Sequence, residues 1–371
     1  MPEILISAGE ASGDMYASWL MEKLLKRIPG VKFFGCAGER LKAGGCEAVV
    51  EASSIATVGL TEVLGDLPRI YGEFQRLIQA AEERRPQLAI LVDSPDFNLR
   101  VASRMKKLGI PVLYLVAPQT WAWRPWRASK IAHTVDKLLC IIPFEESWFK
   151  NHGVMNAEYI GHPLALHVRA TMPRAEFFKR WNLNPAQPLV PLLPGSRRRE
   201  IAMNLPPMLK AAPEIHGQCV VVAAPGAQID AGGLPVINGA WDALSNCSAA
   251  VVASGTVTIE AALLGCPMVV VYRVTQPTWR LGRLLVRTPY FSMVNLVAGE
   301  RVVEELIQSD FTPARLVREI NRLLDSAHER EIMRRDLMGV AQKLLTHIDP
   351  MTRAADRAME LLKIKPSARP A

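Results

Sequence analysis

The feature that most constrains this chain is a recurrence of short, largely apolar runs separated by stretches of helical periodicity. In the first half the runs are Ile4–Ala8, Val31–Cys36, Leu88–Val92, Val112–Val116 and Leu138–Ile142. Runs of this length, rich in Val, Ile and Leu, fit parallel strands covered on both faces by helices. The segments between them carry apolar residues at helical spacing, such as Trp19, Leu20, Leu24 and Leu25. This alternation predicts a doubly wound α/β domain. A second series, Leu189–Leu193, Val220–Ala224, Ala249–Val252 and Met268–Tyr272, predicts another. Between the two, residues 162–188 hold Pro163, Pro173, Pro185 and Pro188 around one short charged helix and read as a linker. The chain, at 371 residues, is too long for one typical core and comfortable for two. The expected domains are therefore residues 1–165 and 186–345, both Rossmann-like with parallel sheets. Thr312–Lys363 reads as mostly helical and charged, and Pro366–Ala371 as a frayed tail.

The net charge of +8 favours anionic partners: phosphorylated substrates, an acidic membrane face or nucleic acid. The cationic residues are dispersed and form no nucleic-acid motif, which argues against the last. Six cysteines lie scattered at Cys36, Cys46, Cys140, Cys219, Cys247 and Cys266 without a CxxC pair, so free buried thiols in a reducing cytoplasm are expected. The histidines form no HExxH motif, and no Asp-x-Asp pair exists to hold Mg²⁺ beside a diphosphate. Neither a metal site nor a cofactor is expected. Met1–Glu10 lacks the charged start and apolar stretch of a signal peptide. No apolar run approaches the ~18–20 residues that span a bilayer, so any membrane contact is expected to be peripheral.

Several loops at strand ends carry chemistry. The first run leads into Ser7-Ala8-Gly9-Glu10-Ala11-Ser12-Gly13-Asp14, where small residues let backbone N–H groups approach an anion. A tight turn with Ser12 or Asp14 capping the helix accounts for it equally well. The motif is not GxGxxG, so dinucleotide binding is not supported. Asp93 and Asp96 follow the run Leu88–Val92, at the crevice end of a parallel strand. Two carboxylates there can raise one another's pKa, which suits a general base. Asp93 fits the base better, and Asp96 fits a helix cap. The loop Pro118–Arg127 interleaves Trp121, Trp123 and Trp126 with Arg124 and Arg127, a pattern for sugar, nucleobase or headgroup contact, or for Trp packed in the core beside solvated Arg.

In the second half, Pro194-Gly195-Ser196-Arg197 opens a helix with arginines, against the helix dipole, and reads as a diphosphate cradle. Ser254-Gly255-Thr256-Val257-Thr258-Ile259-Glu260 opens another, with Glu260 one turn in as a partner for ribose hydroxyls or as part of a capping box. Finally, Leu60, Val63, Leu64, Leu67, Ile70, Tyr71 and Phe74 form one apolar stripe interrupted at Pro68. A core-facing helix pair is the first expectation for it; an exposed surface for acyl chains or membrane is the second.

Taken in chain order, Ser7–Asp14, Gly59–Gly65, Asp93–Asn98, Pro118–Arg124, Phe144-Glu145, Ile160–Pro163, Leu192–Arg197, Ser254–Glu260, Cys266–Arg273 and Asn295–Gly299 resemble the lipid-A-disaccharide synthases. The chain departs from that pattern in the short, Gly-rich Pro225–Trp241, in Cys247-Ser248 where Ser-Asp is typical, and in Val294 where Pro is common. The resemblance implies a GT-B architecture, two Rossmann-like domains facing across a cleft, with the final helices at about 346–365 packing back on the first. It implies an inverting transfer from UDP-2,3-diacylglucosamine to 2,3-diacylglucosamine 1-phosphate at the inner face of the cytoplasmic membrane. It casts Asp93 as the base, with Glu10 and Asp96 as further catalytic candidates and Gly9, Ser12 and Gly13 as the acceptor-side loop. Gly195, Ser196, Arg197, Ser254, Gly255, Thr256, Thr258, Glu260 and Asn295 would hold the UDP-sugar. Leu60, Val63, Leu64, Leu67, Trp121 and Trp123 would meet acyl chains or membrane. A homodimer stays open. The alternatives are another GT-B enzyme, an N-acetylglucosaminyl transferase or a UDP-sugar 2-epimerase.

Overall fold

The computed structural model describes residues 2–55, 60–224, 226–286 and 288–363, without the side chains of 60–66, 281 and 284. The chain divides into two compact units, Met1–Pro163 with Thr346–Ala371, and Leu164–Leu345.

In the first unit the apolar runs become strands β1 (Glu3–Ala8), β2 (Lys32–Ala37), β4 (Leu88–Val92), β5 (Val112–Leu115) and β6 (Lys137–Cys140). Two more strands lie at the edges, β3 (Glu47–Glu51) and β7 (Ala157–Tyr159). Among the described residues the sheet is parallel, in the order β3-β2-β1-β4-β5-β6-β7. All residues of β4 and β5 are buried, as continuous apolar runs require. The order reverses between β1 and β4, which creates a crevice outside their carboxyl ends.

The second unit repeats the design. Its strands are β8 (Leu189–Leu193), β9 (Gln218–Val222), β10 (Val236–Ile237), β11 (Ala250–Ala253), β12 (Met268–Tyr272) and β13 (Glu304–Ile307). Their order is β10-β9-β8-β11-β12-β13, with the reversal between β8 and β11.

The helix Pro350–Leu361 belongs to the first unit and packs on the helix Ala11–Arg27. Asp349 caps it, accepting from the Met351 N–H at 2.9 Å. Ion pairs Lys23–Asp349 at 2.8 Å and Arg27–Asp356 at 2.5 Å tie the two helices together.

The apolar stripe departs from the expected helix pair. It lies on a single helix, Leu60–Arg84, which contains Pro68. Ile70 and Phe74 pack against the core, and Leu77 and Ile78 are buried in it. Leu67 and Tyr71 face outward, 40% and 59% exposed. The side chains of Leu60, Val63 and Leu64 lie outside the described residues. Among the described residues, no helix is long and apolar enough to cross a membrane.

Candidate active site

The crevice ends of β1 and β4 are built as one unit. Ala8 pairs with Val92, so the turn after each strand meets the other. A Cβ on Gly9 would lie 2.7 Å from Ser94 Oγ, and one on Gly13 would lie 3.7 Å from Asp93 Cβ. The absent side chains thus let the Gly9–Gly13 turn close over the Asp93–Ser94 turn. Asp93 and Ser94 both have left-handed backbones, φ 52° and 46°, and Val116 at the end of β5 has φ 66°. Such conformations cost about 1–3 kcal/mol each and persist where surrounding structure over-determines them. Here Asn98 is that structure. Fully buried, its amide donates to the Ser7, Val92 and Asp93 carbonyls and accepts from Ser7 Oγ at 2.7 Å. The Tyr114 hydroxyl also donates to the Asp93 carbonyl, at 2.6 Å. The Asp93 backbone is held from two sides, and its half-buried carboxylate projects from a fixed turn.

Glu10 is the N-cap residue of the helix Ala11–Arg27, though its side chain does not cap it. Gly13 is buried and Ser12 half-buried in the first turn. Asp14 does not cap its own helix. It reaches across to the helix Glu39–Ala43, accepting from the N–H groups of Gly38 and Arg40 at 2.9 Å and Leu41 at 3.3 Å.

Asp96 sits in the first turn of the helix Pro95–Lys107 and is ion-paired with Arg124, at 3.0 Å, and with Arg127. Burial pushes its pKa up, but the hydrogen bonds and charges of the two arginines outweigh this and hold it below the ordinary carboxylate value. The sequence argument expected one carboxylate to be raised by the other; the arginines reverse that for Asp96. Arg124 also stacks on Trp123, 3.6 Å from the ring centre.

Trp121 meets Phe144 edge-on at 4.9 Å and donates its indole N–H to Glu145 at 3.1 Å. Trp126 is 65% exposed. The three tryptophans therefore do different things: one is packed, one carries a cation, one faces outward. Glu145 is the residue that sequence reasoning missed as a site member. It is fully buried, and burial pushes its pKa up to about 8, against the N–H donors of Trp121, Ile142 and Ile141, with the Asp93 charge adding to the rise. A neutral acid thus sits near Asp93. Its position just after the run Leu138–Ile142 is the same strand-end signal that singled out Asp93.

In the second unit the two proposed cradles flank the β8/β11 reversal, on strands paired at Leu192–Val251 and Leu193–Val252. Gly195 has φ 120°, and a Cβ there would lie 2.6 Å from Glu200 Oε2. The amide N–H groups of Ser196 and Arg197 donate to that same oxygen at 3.2 and 3.3 Å, and the Arg197 guanidinium lies 3.5 Å from Glu200 Oε1. A carboxylate therefore already stands among these anion-binding groups. It resolves the misfit of a basic helix start.

Gly255 and Thr256 are exposed at the start of the helix Thr256–Leu263. Thr258 is fully buried and donates to the Gly255 carbonyl at 2.8 Å, and Ser254 donates to the Phe291 carbonyl at 2.8 Å. Both hydroxyls shape the turn. Glu260 accepts from the Trp241 indole N–H at 2.8 Å, and burial raises its pKa.

Asn295 is engaged within its own unit. It is fully buried; its amide donates to the Val303 carbonyl and to Glu305 and accepts from the Val302 and Val303 N–H groups. Every donor and acceptor of that side chain is engaged within the fold. Asn295 is a staple of the loop before β13. An aromatic cluster of Tyr272, Trp279 and Phe291, with centroids 5.6–6.3 Å apart, adjoins Ser254 and was not singled out in the sequence.

The sequence matches the lipid-A-disaccharide synthetase family over residues 4–224 and 230–355. It is 49% identical to the lipid-A-disaccharide synthase of Solibacter usitatus, covering 98% of this chain and 98% of that protein. It is 42% identical to that of Koribacter versatilis, covering 93% of this chain and 94% of the relative. The fold resembles the crystal structure of the glycotransferase of kitacinnamycin, with a TM-score of 0.64 at 17% identity, over 98% of this chain and 100% of the other. Two Rossmann-like units of GT-B type and a match along nearly the whole sequence agree: the chain belongs to the lipid-A-disaccharide synthase family, glycosyltransferases of lipid A disaccharide synthesis.

Proposed function

We propose that the protein joins UDP-2,3-diacylglucosamine to the 6-hydroxyl of 2,3-diacylglucosamine 1-phosphate, inverting the anomeric centre to a β-1,6 bond and releasing UDP. The first unit takes the acceptor. Asp93 removes the hydroxyl proton as oxygen attacks the anomeric carbon, and that proton leaves with Asp93. The second unit takes the donor. Ser196, Arg197 and the N–H groups at Gly255 and Thr256 meet the charge developing on the departing diphosphate, with Glu200 moving aside. Glu260 accepts from the ribose hydroxyls. The observation that carries the reading is the locked Asp93 turn at the β1/β4 reversal, closed over by Gly9 and Gly13.

Incubation with both acylated substrates, followed by mass spectrometry and anomeric NMR, tests it. A β-linked disaccharide 1-phosphate and UDP in equal amounts are expected. An α linkage overturns inversion. Epimerised UDP-sugar without a disaccharide would replace the reading with a 2-epimerase.

In this reading the protein works at the inner face of the cytoplasmic membrane as a peripheral protein, because both substrates carry acyl chains. Outward-facing Leu67 and Tyr71 and the exposed Trp126 support that placement.

A further inference from the structure

Of the six cysteines, two come together. Cys247 Sγ and Cys266 Sγ lie 3.2 Å apart, both as free thiols. Cys247 ends the helix Ala240–Asn246 and is half-buried; Cys266 follows the helix Thr256–Leu263 and is buried. They stand just before the amino ends of the paired strands β11 and β12. The 18 residues between them comprise β11, the Ser254–Gly255 turn and the helix that begins at Thr256. A bond between the sulfurs would close a ring around that strand–turn–helix. The required movement is small, since a disulfide needs about 2.05 Å between sulfurs.

We propose that Cys247 and Cys266 form an oxidative modification site that takes hydroperoxides. The Cys247 sulfur, as thiolate, attacks the outer peroxide oxygen; the O–O bond breaks, an alcohol or water leaves, and Cys247 becomes a sulfenic acid. The Cys266 sulfur then attacks the Cys247 sulfur, its proton leaves with the hydroxide as water, and the disulfide closes. Two thiols and one hydroperoxide thus give one disulfide, one water and one alcohol, or a second water from hydrogen peroxide itself. The sulfur nearer solvent reacts first and the buried one resolves it, the order that sulfenic acid chemistry favours. The hydrogen bond to Cys247, followed by burial, raises the Cys266 pKa, so Cys266 keeps its proton until it resolves the sulfenic acid. Cys46 and Cys219 are different: burial pushes each to about 12, and they are inert by comparison.

The test treats the full-length protein with hydrogen peroxide and maps its cysteines by mass spectrometry. A Cys247–Cys266 cross-link two hydrogens lighter than the dithiol, reversed by dithiothreitol, is expected, with Cys46 and Cys219 unmodified. In Cys266→Ser, Cys247 should stay as a sulfenic acid that dimedone traps; Cys247→Ser should show neither product. Hydrogen exchange of the amides at 254–260 should slow several-fold in the cross-linked form. Sulfinic acid at Cys247 without a cross-link in the wild-type chain would overturn the proposal. So would a cross-link to another cysteine, or exchange at 254–260 unchanged by the cross-link.

Discussion

Nη1 of Arg124 donates to the Asp96 carboxylate at 3.0 Å while the same guanidinium lies on the face of Trp123. Asp96 is thereby engaged with two cations, and the base proposed above is Asp93. Asp93→Ala should lower turnover by roughly 10²–10⁴-fold, the usual worth of acid–base catalysis. Asp96→Ala should cost about tenfold or less, in line with ~1 kcal/mol for a partly exposed ion pair. Steady-state kinetics of both variants settle the assignment; near-normal turnover in Asp93→Ala beside an inactive Asp96→Ala would reverse it.

Asp14→Ala removes three hydrogen bonds from the start of the helix Glu39–Ala43 without touching the Asp93 turn. A stability loss of about 2 kcal/mol is expected, the upper range for a lost N-cap. Urea unfolding measures it, and kcat of the folded fraction should be unchanged. A large fall in kcat with stability intact would make Asp14 part of the site instead.

Much of this was legible in the sequence because buried parallel strands carry their signal in every residue. β4, β5, β8, β11 and β12 are each an uninterrupted apolar run. The strands that escaped notice are those whose surroundings are half polar. β3 reads Glu-Ala-Val-Val-Glu, β7 is three residues long, β10 is two, and β13 begins Glu-Glu. The site was legible to the extent that it depends on strand ends and glycines. What a single sequence hides is which partner a polar side chain chooses. Asp14 serves a helix 25 residues on, Asn295 spends its amide on a loop, and Glu200 fills the turn that precedes it. Only the last, a capping box between Arg197 and Glu200, follows a spacing rule.

The pH dependence of stability should show two opposing slopes from the first unit. The folded-state pKa of Glu145 is raised from 4.5 to about 8, so the folded protein binds this proton more tightly than the unfolded chain. That contribution is complete below pH 4.5 and is lost as pH rises towards 8, at up to about 1.4 kcal/mol per pH unit. Burial lowers His162 from 6.5 to about 3, so its contribution is complete above pH 6.5 and is lost as pH falls towards 3. Urea midpoints should therefore peak between these limits. Glu145→Gln should remove the fall above pH 6.5 and leave the His162 rise between pH 3 and 6.5, and an unchanged fall above pH 6.5 in that variant would assign it to another group.

Gly195→Ala should weaken donor binding. Its φ of 120° disfavours any side chain, and the added methyl would press on Glu200 at 2.6 Å. The left-handed backbone alone costs about 1–3 kcal/mol. Calorimetry with UDP should show at least a tenfold weaker Kd, whereas Gly255→Ala, with open space around its Cβ, should bind UDP within a few-fold of wild type. Equal losses in both variants would remove the distinction between the two turns.

The helix Leu60–Arg84 separates a core face from an outward one within a few residues, which lets membrane contact be tested without unfolding the protein. Ile70 and Phe74 pack against the core, so Phe74→Ser should destabilise the fold by about 3 kcal/mol or more. Leu67 and Tyr71 face outward, so Leu67→Ser and Tyr71→Ser should leave stability within about 0.5 kcal/mol of wild type. If that face enters an anionic leaflet, each apolar side chain buried there adds about 1.5–3 kcal/mol that salt does not screen. Basic residues near the surface add about 1 kcal/mol each, and salt removes that part. Binding to phosphatidylglycerol vesicles should therefore weaken at high salt yet persist. The double variant Leu67→Ser/Tyr71→Ser should lose at least tenfold of the salt-resistant part while binding UDP normally. A wild-type protein that ignores such vesicles at every salt concentration, or a double variant that binds them as well as wild type, would move the membrane contact off this helix.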